Sequence, residues 1–275
     1  FEEKGKIKVT QLTVSKNMVY DLEKIRYQFD TVKPDFVIVS HASNVFGLIA
    51  PVEDIFALAK KYDAITLVDM AQTAGLVDLN VGLTTVDFAV FAGHKTLYGP
   101  TGISGFVMNP SVKIPAVIFG GTGYESANQD MPEDLPQKYE MGTLNISGIA
   151  GLNAALGWSA QVTIKAIREK EAGNRKRLID LLSRYSYIKI IGNYDSCNYV
   201  GIVSCIIEGI SSDSAGPVFD RCGIAVRTGL QCAPLAHQFM GTFPAGTIRF
   251  SVNYFTTDKD FAKLEEALDY IESEL

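Results

Sequence analysis

Three apolar runs that each end in polar residues constrain this chain more than any other feature. Phe36-Val37-Ile38-Val39 runs into Ser40, with His41 and Asn44 just beyond; Ile65-Thr66-Leu67-Val68 runs into Asp69; Val86 to Phe91 leads to Gly93, His94 and Lys95. Helical patterns lie between and before them, at 20–29 and at about 52–62, the second with Pro51 at its first turn, where a missing N–H costs nothing. The same rhythm places strands at 6–14, 65–68, 86–91 and 103–108. Strand alternating with helix predicts an α/β fold: a mostly parallel sheet with helices on both faces. Open sheets of this kind bind ligands beyond the carboxyl ends of their strands. Asp69, Lys95 and the stretch from His41 to Asn44 are therefore expected at one edge.

The 275 residues are 47% hydrophobic, enough for a large core and two domains. A net charge of −6 argues against a nucleic-acid partner, and no run approaches the length of a membrane span. The four cysteines, at 197, 205, 222 and 232, form no CxxC pair and no metal-ligand spacing. They suit a reducing, cytoplasmic setting. The first residues have no apolar signal region and no initiator methionine, so a processed or truncated start is expected.

The second half reads differently. Residues 109–143 are rich in loop-forming residues, and a loop of that length is usually functional. A helical stretch follows from 146 to 185, with Ala172-Gly173 expected to mark a bend or a close approach. After it come short strands at 188–191, 200–207, 224–227 and 247–252, and helices at 213–222 and 258–273, with Gly223 as a helix C-cap. The division predicted is a partial large α/β domain over 1–155 and a smaller α+β domain over 156–275.

The chemistry-bearing residues are few. Lys95 follows a strand and precedes glycines at 99, 102 and 105, so its amine sits where the backbone turns tightly; this suits a Schiff-base lysine, although lysines in such loops are more often solvated surface. Asp69 needs a charge or hydrogen bond to answer its burial. Arg249 lies within the apolar strand around Thr247 to Phe250, where a guanidinium is suited to a bidentate carboxylate or to a structural ion pair. Cys232 lies in a polar, proline-containing loop five residues after Arg227, whereas Cys205 lies inside Ile202 to Ile207 and reads as an inert hydrophobe.

Taken together and in order, these segments resemble the class V, fold-type-I enzymes that use pyridoxal 5′-phosphate (PLP), specifically the cysteine desulfurases. The segments are His41-Ala42-Ser43-Asn44, Asp69-Met70-Ala71-Gln72, Gly93-His94-Lys95 through Gly102, Glu140 to Asn145, Arg227 to Cys232, and Gly246 to Ser251. The resemblance covers nearly the whole chain. It implies that Lys95 joins the cofactor and later moves the proton, that Asp69 pairs with the pyridine nitrogen, and that Gln72 meets the ring's phenolic oxygen. It further implies that Asn44 contacts the ring region, that His94 helps hold the phosphate, and that Thr143 reaches the phosphate of a neighbouring subunit in a homodimer. Arg249, with Arg227 nearby, would grip the α-carboxylate of a cysteine or selenocysteine substrate. Cys232 would take the sulfur as a persulfide and pass it to an acceptor protein. A class V aminotransferase or other PLP lyase in which Cys232 is incidental, or a truncated non-catalytic PLP-fold protein, are the rival readings. Ala92 and Gln231 depart from the family pattern, which often has Ser and His there. The family also carries, ahead of the point matching Phe1, a phosphate-binding loop and a residue that stacks on PLP. The chain as given is therefore expected to hold the cofactor weakly.

Overall fold

The computed structural model describes residues 1–275 except Thr13, 124–126, 193–197 and Leu275. Cys197 lies outside the described residues. Two four-stranded sheets are joined by a pair of helices.

The first sheet has the order β1 (Phe36–Ser40), β2 (Ile65–Asp69), β3 (Phe88–Ala92), β4 (Ser104–Met108). The first three strands are parallel and β4 returns antiparallel to β3. Along β1, Val37 and Val39 are buried while Phe36 and Ile38 are exposed, so the run that looked continuously apolar has two unlike faces. The buried face packs against Ile25 and Phe29 of α1 (Leu22–Val32) and Ile55 and Phe56 of α2 (Val52–Ala59). α1 begins where Asp21 accepts a hydrogen bond from the Lys24 N–H, satisfying one of the free donors of a helix start. The opposite face stays open as an apolar trough of Phe36, Leu67, Phe88, Val90 and Phe106, flanked by Val117 and Ile118.

The second sheet, order β5 (Ile188–Ile191), β6 (Ile202–Ile207), β8 (Thr247–Ser251), β7 (Arg227–Gly229), is antiparallel throughout. Its core is closed by Leu178 and Leu182 of α4 (Ile164–Leu182), Phe219 of α5 (Ser212–Arg221), and Phe261, Leu264, Leu268 and Ile271 of α7 (Asp258–Glu274). Gly223 takes a left-handed conformation (φ 69°) just past α5, as its capping role requires.

Three local expectations are corrected. No strand forms over residues 7–12: Ile7 and Val9 are exposed, the segment joins no sheet, and Val14 makes only a bridge to Tyr20. β-branched residues favour a pleated surface only where an edge receives them. The stretch from 146 to 185 is two helices, α3 (Ile146–Val162) and α4, broken at Thr163 rather than at Ala172-Gly173. Thr163 turns the chain at φ 77° and its hydroxyl accepts from the Ala166 N–H, so one residue ends α3 and caps α4. Gly173 continues α4, and a Cβ placed there would touch none of the described residues. Residues after Cys232 form a short helix, α6 (Pro234–Met240), with Pro234 in its first turn.

Candidate active site

The register of the first sheet sets Ser40 beside Asp69 and Asp69 beside Val90, so the carboxyl ends of three parallel strands form one edge. The chain leaves β3 through a tight fold-back. Gly99 donates to the Gly93 carbonyl at 2.7 Å, and Gly93 donates to Ile103 at 3.0 Å. A Cβ on Gly99 would come within 2.8 Å of the Gly93 oxygen, so this crossing admits no side chain. Lys95 is carried at the top of the fold-back, exposed. Tyr98 (φ 57°) anchors the turn from below by packing edge-on against Trp158 of α3 and Phe255, at 5.3 and 5.4 Å between ring centres. Trp158 also stacks on Phe255 at 5.2 Å, so an aromatic cluster ties the lysine turn to the second half of the chain.

Gln72, His94, Lys95 and Arg249 line one cavity of about 260 Å³, together with Thr96, Tyr98, Glu171 and Asn253. Asp69 stands at the same sheet edge but outside that lining, its Oδ1 accepting the Ala71 N–H at 2.8 Å. That bond shapes the turn that delivers Gln72. His41 is buried, with Nδ1 2.9 Å from the Thr73 hydroxyl, and burial holds its pKa down to about 4. A ring that stays neutral inside the core is a brace between β1 and the Asp69–Gln72 turn. Thr143 is exposed, ahead of α3, and outside the cavity.

The second half reaches this edge through the loop after β1. The Ile49 N–H donates to the Asn198 carbonyl, the Val200 N–H donates to the Gly47 carbonyl, and the Ser204 hydroxyl donates to the Val45 carbonyl at 2.5 Å. Asn44 binds twice: its side-chain amide donates to the Gln231 carbonyl at 2.7 Å, and its own carbonyl accepts from Arg249 Nη1 at 2.8 Å. Arg227 and Arg249 are paired across β7 and β8, so both guanidiniums leave the same face of the sheet. Like charges directly opposite are unfavourable. Burial first, then the Arg227 charge, push the Arg249 guanidinium below its ordinary value, while Cys232 acts in the opposite direction. Arg249 Nε is buried without a partner among the described residues. Two facing cations with an unanswered donor make a site for an anion, and a carboxylate answers the planar fork. Cys232, exposed and free, stands within electrostatic reach of Arg249.

Glu171 carried no signal as a local motif. The residue is 4% exposed, burial raises its pKa, and Oε1 accepts the Gly201 N–H at 2.7 Å. Helical spacing does reveal it afterwards: Ile167, Glu171, Arg175, Leu178 and Leu182 form one buried stripe of α4.

Comparison with known proteins agrees with this geometry. The model of the aminotransferase class-V family matches residues 1–264. The chain is 32% identical over 241 residues to a probable cysteine desulfurase of Methanothermobacter thermautotrophicus, covering 86% of this chain and 60% of that protein. It is 33% identical over 243 residues to a probable cysteine desulfurase of Mycobacterium leprae, covering 85% of this chain and 57% of that one. The fold is similar to the apo structure of a cysteine desulfurase from Thermococcus onnurineus, with a TM-score of 0.83 at 25% identity, covering 98% of this chain and 67% of that chain. The chain thus spans about three fifths of the length of these curated relatives. The family model matches nearly the whole chain, and this chain belongs to the aminotransferase class-V family.

Proposed function

We propose that this chain carries the catalytic residues of a PLP-dependent cysteine desulfurase, which converts L-cysteine to L-alanine and retains the sulfur as a persulfide on Cys232. The observation that carries the reading is the meeting of Lys95, Gln72 and Arg249 in one cavity, with Cys232 within electrostatic reach of Arg249. The family works with PLP, and the residues here fit it. Thr96 Oγ1, in the cavity wall next to Lys95, is buried without a partner among the described residues, so a polar ligand has a hydroxyl left to meet. Lys95, Gln72 and His94 would hold the cofactor, and Asp69 would pair with its ring nitrogen. Once bound, PLP supplies an electron sink that makes the substrate's carbon–sulfur bond labile near neutral pH.

The remaining work belongs to the chain's own groups. Arg249 and Arg227 hold the substrate carboxylate and so direct its sulfur toward the β7–β8 side of the cavity. The Cys232 thiolate attacks that sulfur. The new S–S bond forms as the substrate C–S bond breaks, with its electron pair leaving toward carbon. A proton delivered to that carbon by Lys95 Nζ completes alanine, so one cysteine and one enzyme thiol give one alanine and one persulfide. Sulfur suits the attack because a soft, ionisable nucleophile is needed at sulfur. Cys232 is exposed, so an acceptor protein can reach the persulfide. The same site would accept the selenium analogue of the substrate.

Two wider readings accompany this one. Val117, Ile118 and Phe119 are 82%, 60% and 67% exposed, and Ile146 is 66% exposed, which supports a homodimer interface around Thr143. The free thiols of Cys205, Cys222 and Cys232 support work in a reducing, cytoplasmic setting. The test of the central reading is Cys232→Ser in the PLP-loaded protein. Alanine release from cysteine should be abolished while the cofactor's visible absorbance is kept. Retained alanine release overturns the mechanism, and keto-acid formation that survives the substitution favours an aminotransferase.

A further inference from the structure

Cys232 is reached along a backbone that ordinary side chains resist. Gln231 (φ 43°) and Cys232 (φ 62°) are consecutive residues in the left-handed region, where the Cβ of an L-residue crowds the next carbonyl oxygen. Such a conformation persists only where the surroundings over-determine it. The surroundings here are a buried polar cluster built from side chains on both sides of the turn.

Gln231 is 5% exposed. Its Nε2 donates to the carbonyls of Thr247 at 3.0 Å and Arg227 at 3.2 Å, which assigns the other end of the amide as the oxygen. That oxygen lies 2.9 Å from His237 Nε2 and accepts from the Thr247 hydroxyl at 3.3 Å. The bonding pattern therefore assigns the His237 proton to Nε2 and leaves Nδ1 to accept from the Thr242 hydroxyl at 2.7 Å. His237 is wholly buried, and burial lowers its pKa. Each of these groups answers another, and a fully satisfied buried network is rigid.

The network spans the turn. Arg227 and Thr247 belong to β7 and β8 ahead of and beneath it; His237 and Thr242 belong to α6 and the residues just beyond. Asn44 adds a tie from the first half through the Gln231 carbonyl. What these ties hold in place is the turn that carries an exposed thiol within electrostatic reach of Arg249, whose strand partner is Arg227.

We propose that Gln231, His237 and Thr242 form a latch that fixes the left-handed turn carrying the Cys232 thiol and so sets its distance from Arg249. The three are positioning residues, and the latch deepens the desulfurase reading, on which its purpose rests. The test compares two alkylating reagents at Cys232, followed by peptide mass spectrometry on the whole chain: anionic iodoacetate and neutral iodoacetamide. Guanidiniums held near the thiol favour the anion, so the rate ratio should exceed that of the same cysteine in the urea-unfolded protein by about three- to fivefold. Thr242→Val keeps the shape and removes the hydroxyl; Gln231→Leu removes the amide. Both should lower the ratio toward the unfolded value in protein that circular dichroism shows to be folded, and Thr242→Ser should preserve it. A purely structural role would shift the melting temperature and leave the ratio unchanged. An unchanged ratio in folded Thr242→Val and Gln231→Leu overturns the latch. So does a ratio in the unaltered protein no higher than in urea, a measurement that needs no variant. Neither reagent needs cofactor or substrate. Loss of alanine release by the unaltered protein would overturn the functional reading, and a flat reagent ratio would overturn the latch.

Discussion

Replacing His41 with glutamine should change how stability depends on pH, because the folded protein keeps this ring neutral. His41 is 4% exposed, is bonded through Nδ1 to Thr73, and has its pKa held down to about 4 from the ordinary 6.5. A histidine depressed in the folded state contributes stability that is full above the unfolded pKa and is lost as pH falls through the window from 6.5 to about 4. Each pH unit inside that window is worth at most about 1.4 kcal/mol. Between about pH 7.5 and about pH 5 the loss comes to about 2 kcal/mol. His41→Gln keeps an amide for Thr73 and removes the titration. It should cost about 1–3 kcal/mol at about pH 7.5 through imperfect replacement of the buried hydrogen bond and packing. The gap between the two proteins should then narrow by about 2 kcal/mol toward about pH 5. His237 and Glu171, also shifted by burial, are common to both proteins and cancel in the difference. Urea unfolding of both proteins across the pH series, with equal m-values, measures the gap. A gap that stays constant across the series would refute the argument that burial keeps His41 neutral.

Two further substitutions test the frame around the site. Gly201→Ala should destabilise the protein by about 3 kcal/mol, because the new Cβ would lie 2.2 Å from the Val252 carbonyl oxygen and 2.8 Å from Glu171 Cγ; wild-type stability in urea would contradict that packing. Cys205 is fully buried, with its thiol pushed up to about 12 by burial, so in the native protein it should resist thiol reagents. Cys205→Ala should cost about 1 kcal/mol through a small cavity, with turnover per folded molecule unchanged, which urea titration and an alanine assay can follow.

The apolar trough on the first sheet leaves one face of β1 open. Phe36 and Ile38 look like core residues because they continue the run of Val37 and Val39, yet they are 46% and 60% exposed. An apolar run reports that a strand suits burial on both sides; it does not report what covers the second side.

Local rules made much of this protein legible. Short apolar runs ending in polar residues placed β1, β2 and β3, because a strand needs only its own side chains to declare itself. The parallel-sheet rule then put Asp69 and Lys95 at one edge, and spaced glycines marked the fold-back that carries the lysine. The family motifs singled out Cys232, Arg227 and Arg249, but not how they meet. That was decided by tertiary structure. Asn44 reaches Gln231 across 187 residues, and Arg227 faces Arg249 only because β7 pairs with β8 in one particular register. The break at Thr163, the unpaired segment at 7–12 and the buried Glu171 likewise depend on which surfaces are available for packing. Periodicity is a property of neighbouring residues and survives in the sequence. Register and long-range hydrogen bonds are chosen by the free energy of the whole assembled core, and no short segment contains that information.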